Sequence, residues 1–166
     1  MKHILKSAIV LCFAVFGCFF FSTASYAAVS LQGWDLVDSG KHCDWDGTSA
    51  YLTPITNGAS TWNAYKSGVI RKDTIFTLQD VAISDYYEVS TTCGETGSSG
   101  YIYFNTYQMQ NFSADQRKSV AMHELGHCLG LGHNTSTSDV MYTPTQGVTT
   151  LSQNDKDSYD AAYNNY

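Results

Sequence analysis

Positive charge is scarce in this chain of 166 residues: nine lysines and arginines stand against fifteen aspartates and glutamates, for a formal net charge of −6. No basic stripe runs along it, which argues against nucleic acid or an anionic membrane as partner. It also lacks internal repeats and any linker long enough to divide it, so one domain accounts for it. Histidine is rarer still, with five in all, and three of these, His123, His127 and His133, fall within eleven positions.

A long membrane-spanning run is missing as well. The apolar stretch from Ala8 to Phe21 falls short of the roughly 20 residues a spanning helix needs. Lys2 and Lys6 precede it, and Ser25-Tyr26-Ala27 forms a small-x-small cleavage signal after it, the layout of a secretory signal peptide. Residues 1–27 are therefore read as a signal peptide, and residues 28–166 as one mature domain that is secreted and monomeric, without stable membrane insertion. A transmembrane anchor is the competing reading. Lipoprotein processing at Cys18 fits poorly, because Phe16 precedes it and phenylalanines follow. Cleavage leaves seven basic against fifteen acidic side chains, a surplus that favours solubility.

Three cysteines remain, Cys43, Cys93 and Cys128, an odd number for an oxidising compartment. Cys43 and Cys93 both lie in polar, glycine-bearing sequence and are expected to pair as a disulfide, with Cys128 a small buried side chain. An inhibitory thiolate at Cys43 is the alternative.

"NGASTWNAYKSG" carries Ala59, Trp62 and Tyr65 at helical spacing between Gly58 and Gly68. "VIRKDTIFTLQDVAI" is rich in β-branched residues and reads as one or two strands, "VSTTCGETGSSG" as a loop, and "YIYFNTYQM" (101–109) as a strand. "NFSADQRKSVAMHELGHCLG" reads as a helix capped by Ser113 with Gln116 three residues on, ending near Gly130. "LSQNDKDSYDAAYNNY" reads as a terminal helix capped by Ser152, packing through Leu151, Tyr159, Ala162 and Tyr163.

Residues four apart on a helix share a face, so His123 and His127 offer two imidazole nitrogens to one point. Zinc takes imidazole at roughly 2.0–2.1 Å in tetrahedral surroundings, with one position open in catalytic sites. Gly130 breaks the helix and lets the chain return His133 as a third ligand. Glu124 lies about 100° around the helix from His123. There it is placed to accept a proton from a water activated by zinc and to pass it to the leaving amine.

These residues carry a resemblance. "HELGHCLGLGH" resembles the metzincin zinc-protease signature H-E-x-x-H-x-x-G-x-x-H, and the following "SDVMYTP", with Met141 eight residues after His133, is similar to the matrixin branch. The terminal helix is similar to the one that closes matrixin catalytic domains. The resemblance implies an α+β metzincin fold: a twisted mixed β-sheet, an active-site helix, a second packing helix, and a small C-terminal part ending in a helix. It also implies one catalytic zinc on His123, His127 and His133, Glu124 as general base, and Met141 as the floor of the zinc site. The family's edge strand before the active helix binds extended peptide, which assigns substrate contacts to Tyr101, Tyr103, Asn105 and Tyr107. Departures accompany it. His42 alone remains in the mature chain for a second, structural zinc, no cysteine-switch prodomain is evident, and Thr143 stands where some branches place a tyrosine ligand. "DWDG" (44–47) hints at calcium, although a solvated turn explains the same residues.

The sequence thus points to a zinc endopeptidase acting on proteins or peptides. Its rivals are a silent zinc-binding module of the same fold, against which intact Glu124 argues, and a structural metal domain closed by a fourth ligand such as Asp139.

Overall fold

In the computed structural model, which describes residues 29–144 and 147–166, five short strands share one sheet. They are β1 (Cys43–Thr48), β2 (Ile70–Lys72), β3 (Val81–Tyr86), β4 (Gly94–Gly97) and β5 (Tyr101–Asn105), arranged β2-β1-β3-β5-β4. β4 alone runs antiparallel, along β5; every other pair is parallel. The signal-peptide and Cys18 readings lie outside the described residues. Among those described, no helix is long and apolar enough to cross a membrane.

Period-two alternation decides which face of the sheet is covered. Val81, Ile83, Ile102 and Phe104 are all buried, so the pleat turns them to one side. There they meet two helices, α1 (Leu52–Tyr65) and α3 (Ala114–Cys128). Gly58 does not bound α1, as expected from sequence, but lies inside it. A Cβ there would stand 3.2 Å from the Met122 side chain of α3, so its small size lets the helices approach. Trp62 seals the contact, donating its indole N–H to the Met122 carbonyl at 3.0 Å.

The predicted capping of α3 is present in full. The Ser113 hydroxyl accepts the Gln116 amide, and the Gln116 side chain accepts the Ser113 amide. Gly130 ends the helix region at φ 84°, a left-handed conformation that glycine adopts without steric cost. After β5 comes one short turn, α2 (Thr106–Met109), and the chain closes with α4 (Gln153–Tyr163), capped by Ser152. Tyr159 and Ala162 of α4 are buried as expected.

Three further sequence readings need correction. "VSTTCGETGSSG", read as a loop, contains β4; pairing with Tyr101–Phe104 imposes a strand that its glycines and threonines do not signal locally. "DWDG" is not a turn but part of β1. Asp44 is buried there and gives both carboxylate oxygens to Arg71, at 2.7 and 2.6 Å, while Asp46 faces Lys72 at 3.9 Å.

The third concerns the disulfide: Cys43, Cys93 and Cys128 are all free. Cys43 opens β1, and Cys93 immediately precedes β4, with β3 and β5 between them. Three strand spacings come to about 14 Å, twice the roughly 7 Å limit on Cα separation for a disulfide. Cys43 instead packs in the core beside Cys128.

Candidate active site

Helix α3 brings His123 and His127 to one side, and the turn after Gly130 returns His133 to them. Their ligating nitrogens all lie within 4.8 Å of one another. His127 Nε2 and His133 Nε2 are 3.2 Å apart, close to the about 3.3 Å edge of a tetrahedron with 2.0–2.1 Å metal bonds. His123 Nδ1 is 2.8 Å from the Val140 carbonyl, and His127 Nδ1 is 2.9 Å from the Leu131 carbonyl. A carbonyl only accepts, so each Nδ1 carries the proton and each Nε2 keeps a lone pair for a metal. Burial also pushes the His123 pKa down to about 4 and lowers that of His127, holding both rings neutral. The donor set, its spacing and its tautomers fit zinc. Among the described residues, no fourth His, Cys, Asp or Glu joins this cluster; Asp139 instead accepts the Asn154 amide at 2.8 Å.

Met141 lies fully buried under α3. A Cβ on Gly126, between the two helical histidines, would overlap its sulfur. The turn that carries Met141 is held by Asp155 of α4, which is wholly buried. Its carboxylate accepts the amides of Val140 at 2.9 Å, Met141 at 3.2 Å and Ser152 at 3.0 Å. Since the Val140 carbonyl orients His123, Asp155 reaches the site through one peptide unit. Sequence reasoning named Ser152 but missed Asp155; the S-x-x-D pattern of a capping box was the available signal.

A second support had no signal at all. Residues 30–32 run beside the ligand turn, where Leu31 pairs antiparallel with Leu131. The Gln32 side-chain amide donates to the His127 carbonyl at 2.6 Å, and the Ser30 hydroxyl to the His133 carbonyl at 2.8 Å. The chain segment preceding the sheet therefore braces two of the three histidines.

Glu124 is buried at the same site, and the Thr96 hydroxyl donates to its Oε2 at 2.7 Å. Burial raises the Glu124 pKa, while His127 and Thr96 oppose the rise. The three histidines and Glu124 open on a cleft of about 520 Å³, whose other walls are residues 91–96 and Thr143-Pro144.

The strand expected to line the cleft does not. β5 is bonded on both sides, to β3 and β4, so it has no free edge. Tyr101 and Tyr103 stack on each other at 4.5 Å on the sheet face away from α3, and Tyr107 meets Tyr87 edge-on. Asn105 is fully buried, donating to the carbonyls of Glu88 and Thr92 at 2.9 Å each, which ties down the loop before β4. The edge beside the histidines is β4. Because the Asn105 amide donates to the Cys93 carbonyl, the bonded pairs alternate through Glu95–Tyr103 and Gly97–Tyr101. The main-chain groups of Gly94 and Thr96 thus point to the free side.

The family model described as Matrixin matches residues 57–164, a span holding the three histidines, Glu124 and Met141. The chain belongs to the matrixin family. It is a zinc metallopeptidase of metzincin fold. Its fold is similar to the crystal structure of archaemetzincin from Methanopyrus kandleri, with a TM-score of 0.55 and 12% sequence identity. The match covers 77% of this chain and 99% of that one. No curated protein matches the sequence. In this matrixin the metal-binding motif sits on α3, which packs against the sheet. The cleft-side strand places Gly94 and Thr96 directly against the glutamate.

Proposed function

We propose that this matrixin is a secreted, monomeric endopeptidase that cleaves proteins or peptides, with Glu124 as general base and one zinc held by His123, His127 and His133. One observation carries the reading: a buried carboxylate faces the same cleft as three converging imidazoles, two of them fixed with Nε2 unprotonated. Zinc bound there lowers the pKa of its water and polarises the carbonyl under attack.

The chain's own residues supply the rest. Glu124 accepts the proton of the attacking water and returns it to the amine nitrogen as the peptide C–N bond breaks. The free edge of β4 takes the substrate as an added strand through the main-chain groups of Gly94 and Thr96, which orients the scissile bond across the cleft. That assigns peptide binding to β4 in place of Tyr101, Tyr103, Asn105 and Tyr107. A silent binding module of the same fold would have no use for a buried carboxylate at this point.

The test is cleavage of casein by the chain beginning at Ala28, with and without a zinc chelator, beside Glu124→Ala. Zinc-dependent cleavage that Glu124→Ala abolishes is expected. A zinc-loaded wild type without cleavage of casein or of a peptide library would overturn the enzymatic reading. For secretion, the expected result is mature protein outside the cell with Ala28 as its first residue.

A further inference from the structure

Two side-chain positions of β4, two residues apart and so on one face of the strand, both converge on Glu124. At position 96 the Thr hydroxyl donates to Glu124 Oε2 at 2.7 Å, with the Glu124 carbonyl at 3.2 Å as a second acceptor. At position 94 a Cβ would stand 2.9 Å from Glu124 Oε1 and 3.1 Å from its Cγ, so any side chain there would force the Glu124 carboxylate to shift. One position therefore holds one oxygen, and the other leaves room for its twin.

We infer that Thr96 is a positioning residue for the reaction, pinning Glu124 Oε2 so that Oε1 is the oxygen presented to the attacking water. The inference rests on the reading of Glu124 as general base. A glutamate side chain has three rotatable bonds, and its carboxylate can turn either oxygen into the cleft. A short bond from a neutral hydroxyl to one oxygen removes that ambiguity without neutralising the base. The same strand carries the free edge on which a peptide would align. Substrate register and base orientation are then set by adjacent atoms of one element, an arrangement that favours a near-attack geometry. Gly94 completes it, since any larger residue would push Oε1 out of place.

Thr96→Val removes the hydroxyl and keeps the shape and β-propensity of the side chain; Thr96→Ser restores the hydroxyl alone. Charge-assisted hydrogen bonds of this kind are worth about tenfold to hundredfold in an equilibrium or rate. For Thr96→Val, kcat should fall by roughly that factor, with KM changed less than about twofold and zinc content still one per chain. Thr96→Ser should recover most of the loss. In the zinc-loaded crystal structure of Thr96→Val, the Glu124 carboxylate should be rotated or split between two orientations. Gly94→Ala should lower kcat as well.

Wild-type kcat in Thr96→Val would overturn the inference, as would an unrotated Glu124. Loss of zinc, or an equal loss in Thr96→Ser, would show that Thr96 serves the fold and not the base. Glu124→Gln separates the two levels. If it keeps full activity, the general-base reading itself fails; if it is inactive while Thr96→Val is normal, only the positioning role fails.

Discussion

Gly126 and Met141 meet without space for one further carbon between them: a Cβ on Gly126 would overlap the methionine sulfur. The contact sits between His123 and His127 and under their helix. Gly126→Ala should therefore destabilise the protein by about 1–3 kcal/mol, the usual cost of overpacking. Met141→Ala should cost about 2–5 kcal/mol through the cavity it leaves. The added methyl can enter that cavity, so the double variant should cost less than the sum of the two. Urea unfolding of the three variants checks this, and strict additivity would mean that the two residues do not share the space.

Asp155 controls His123 without touching it. Asp155→Ala strands the buried amides of Val140 and Met141 and removes half of the α4 capping box. A loss of about 2–5 kcal/mol is expected. Zinc affinity should fall about 10- to 100-fold, as for other groups that orient a ligand from behind. Denaturant melts and competitive zinc titration measure the two effects separately; Asp155→Asn, which keeps one acceptor oxygen, should fall between wild type and Ala.

The thiols should report the fold. Cys43 and Cys128 are fully buried, and Cys93 is only partly covered. Under native conditions an alkylating reagent should modify Cys93 alone; after unfolding it should modify all three without prior reduction. Burial, with Glu124 nearby, raises the Cys93 pKa above its ordinary 9.0. Its thiolate fraction at neutral pH is then small, so native alkylation should be slow and quicken as pH rises toward that pKa. Mass spectrometry that finds a Cys43–Cys93 bridge would contradict the sheet order.

The proposed binding of substrate by strand addition would make the peptide backbone the reader. In a cleaved peptide, N-methylation of an amide that pairs with Gly94 or Thr96 should lower kcat/KM about tenfold for each lost hydrogen bond. The sensitive amides should alternate with tolerant ones. Uniform tolerance along the peptide would exclude β4 as the docking edge.

Much of the site was legible because it is local. His123, Glu124 and His127 are ordered by helical periodicity, and Ser113, Gln116 and Gly130 mark the ends of their helix within a few residues. His133 follows from one glycine-rich turn. The matrixin likeness of "HELGHCLGLGH" with Met141 added the fold class. β4 was illegible for the opposite reason. "CGETGSSG" carries no strand pattern of its own and becomes a strand only through its ladder with β5. Missing β4 moved the edge of the sheet by one strand and placed the substrate on Tyr101 and Tyr103, whose side chains face away from α3.

By itself, then, the sequence determined the metal-binding helix, its caps, the three converging histidines and the glutamate beside them, since backbone geometry over a few turns fixes those relations. Tertiary structure alone decided which strand lies at the open edge, which cysteines can meet, and what surrounds each functional group. Thr96 reaches Glu124 across 28 positions of chain, Gln32 reaches His127 across 95, and Asp155 holds a turn 14 and 15 residues away. Such contacts depend on packing between elements, and no periodicity within one element encodes them.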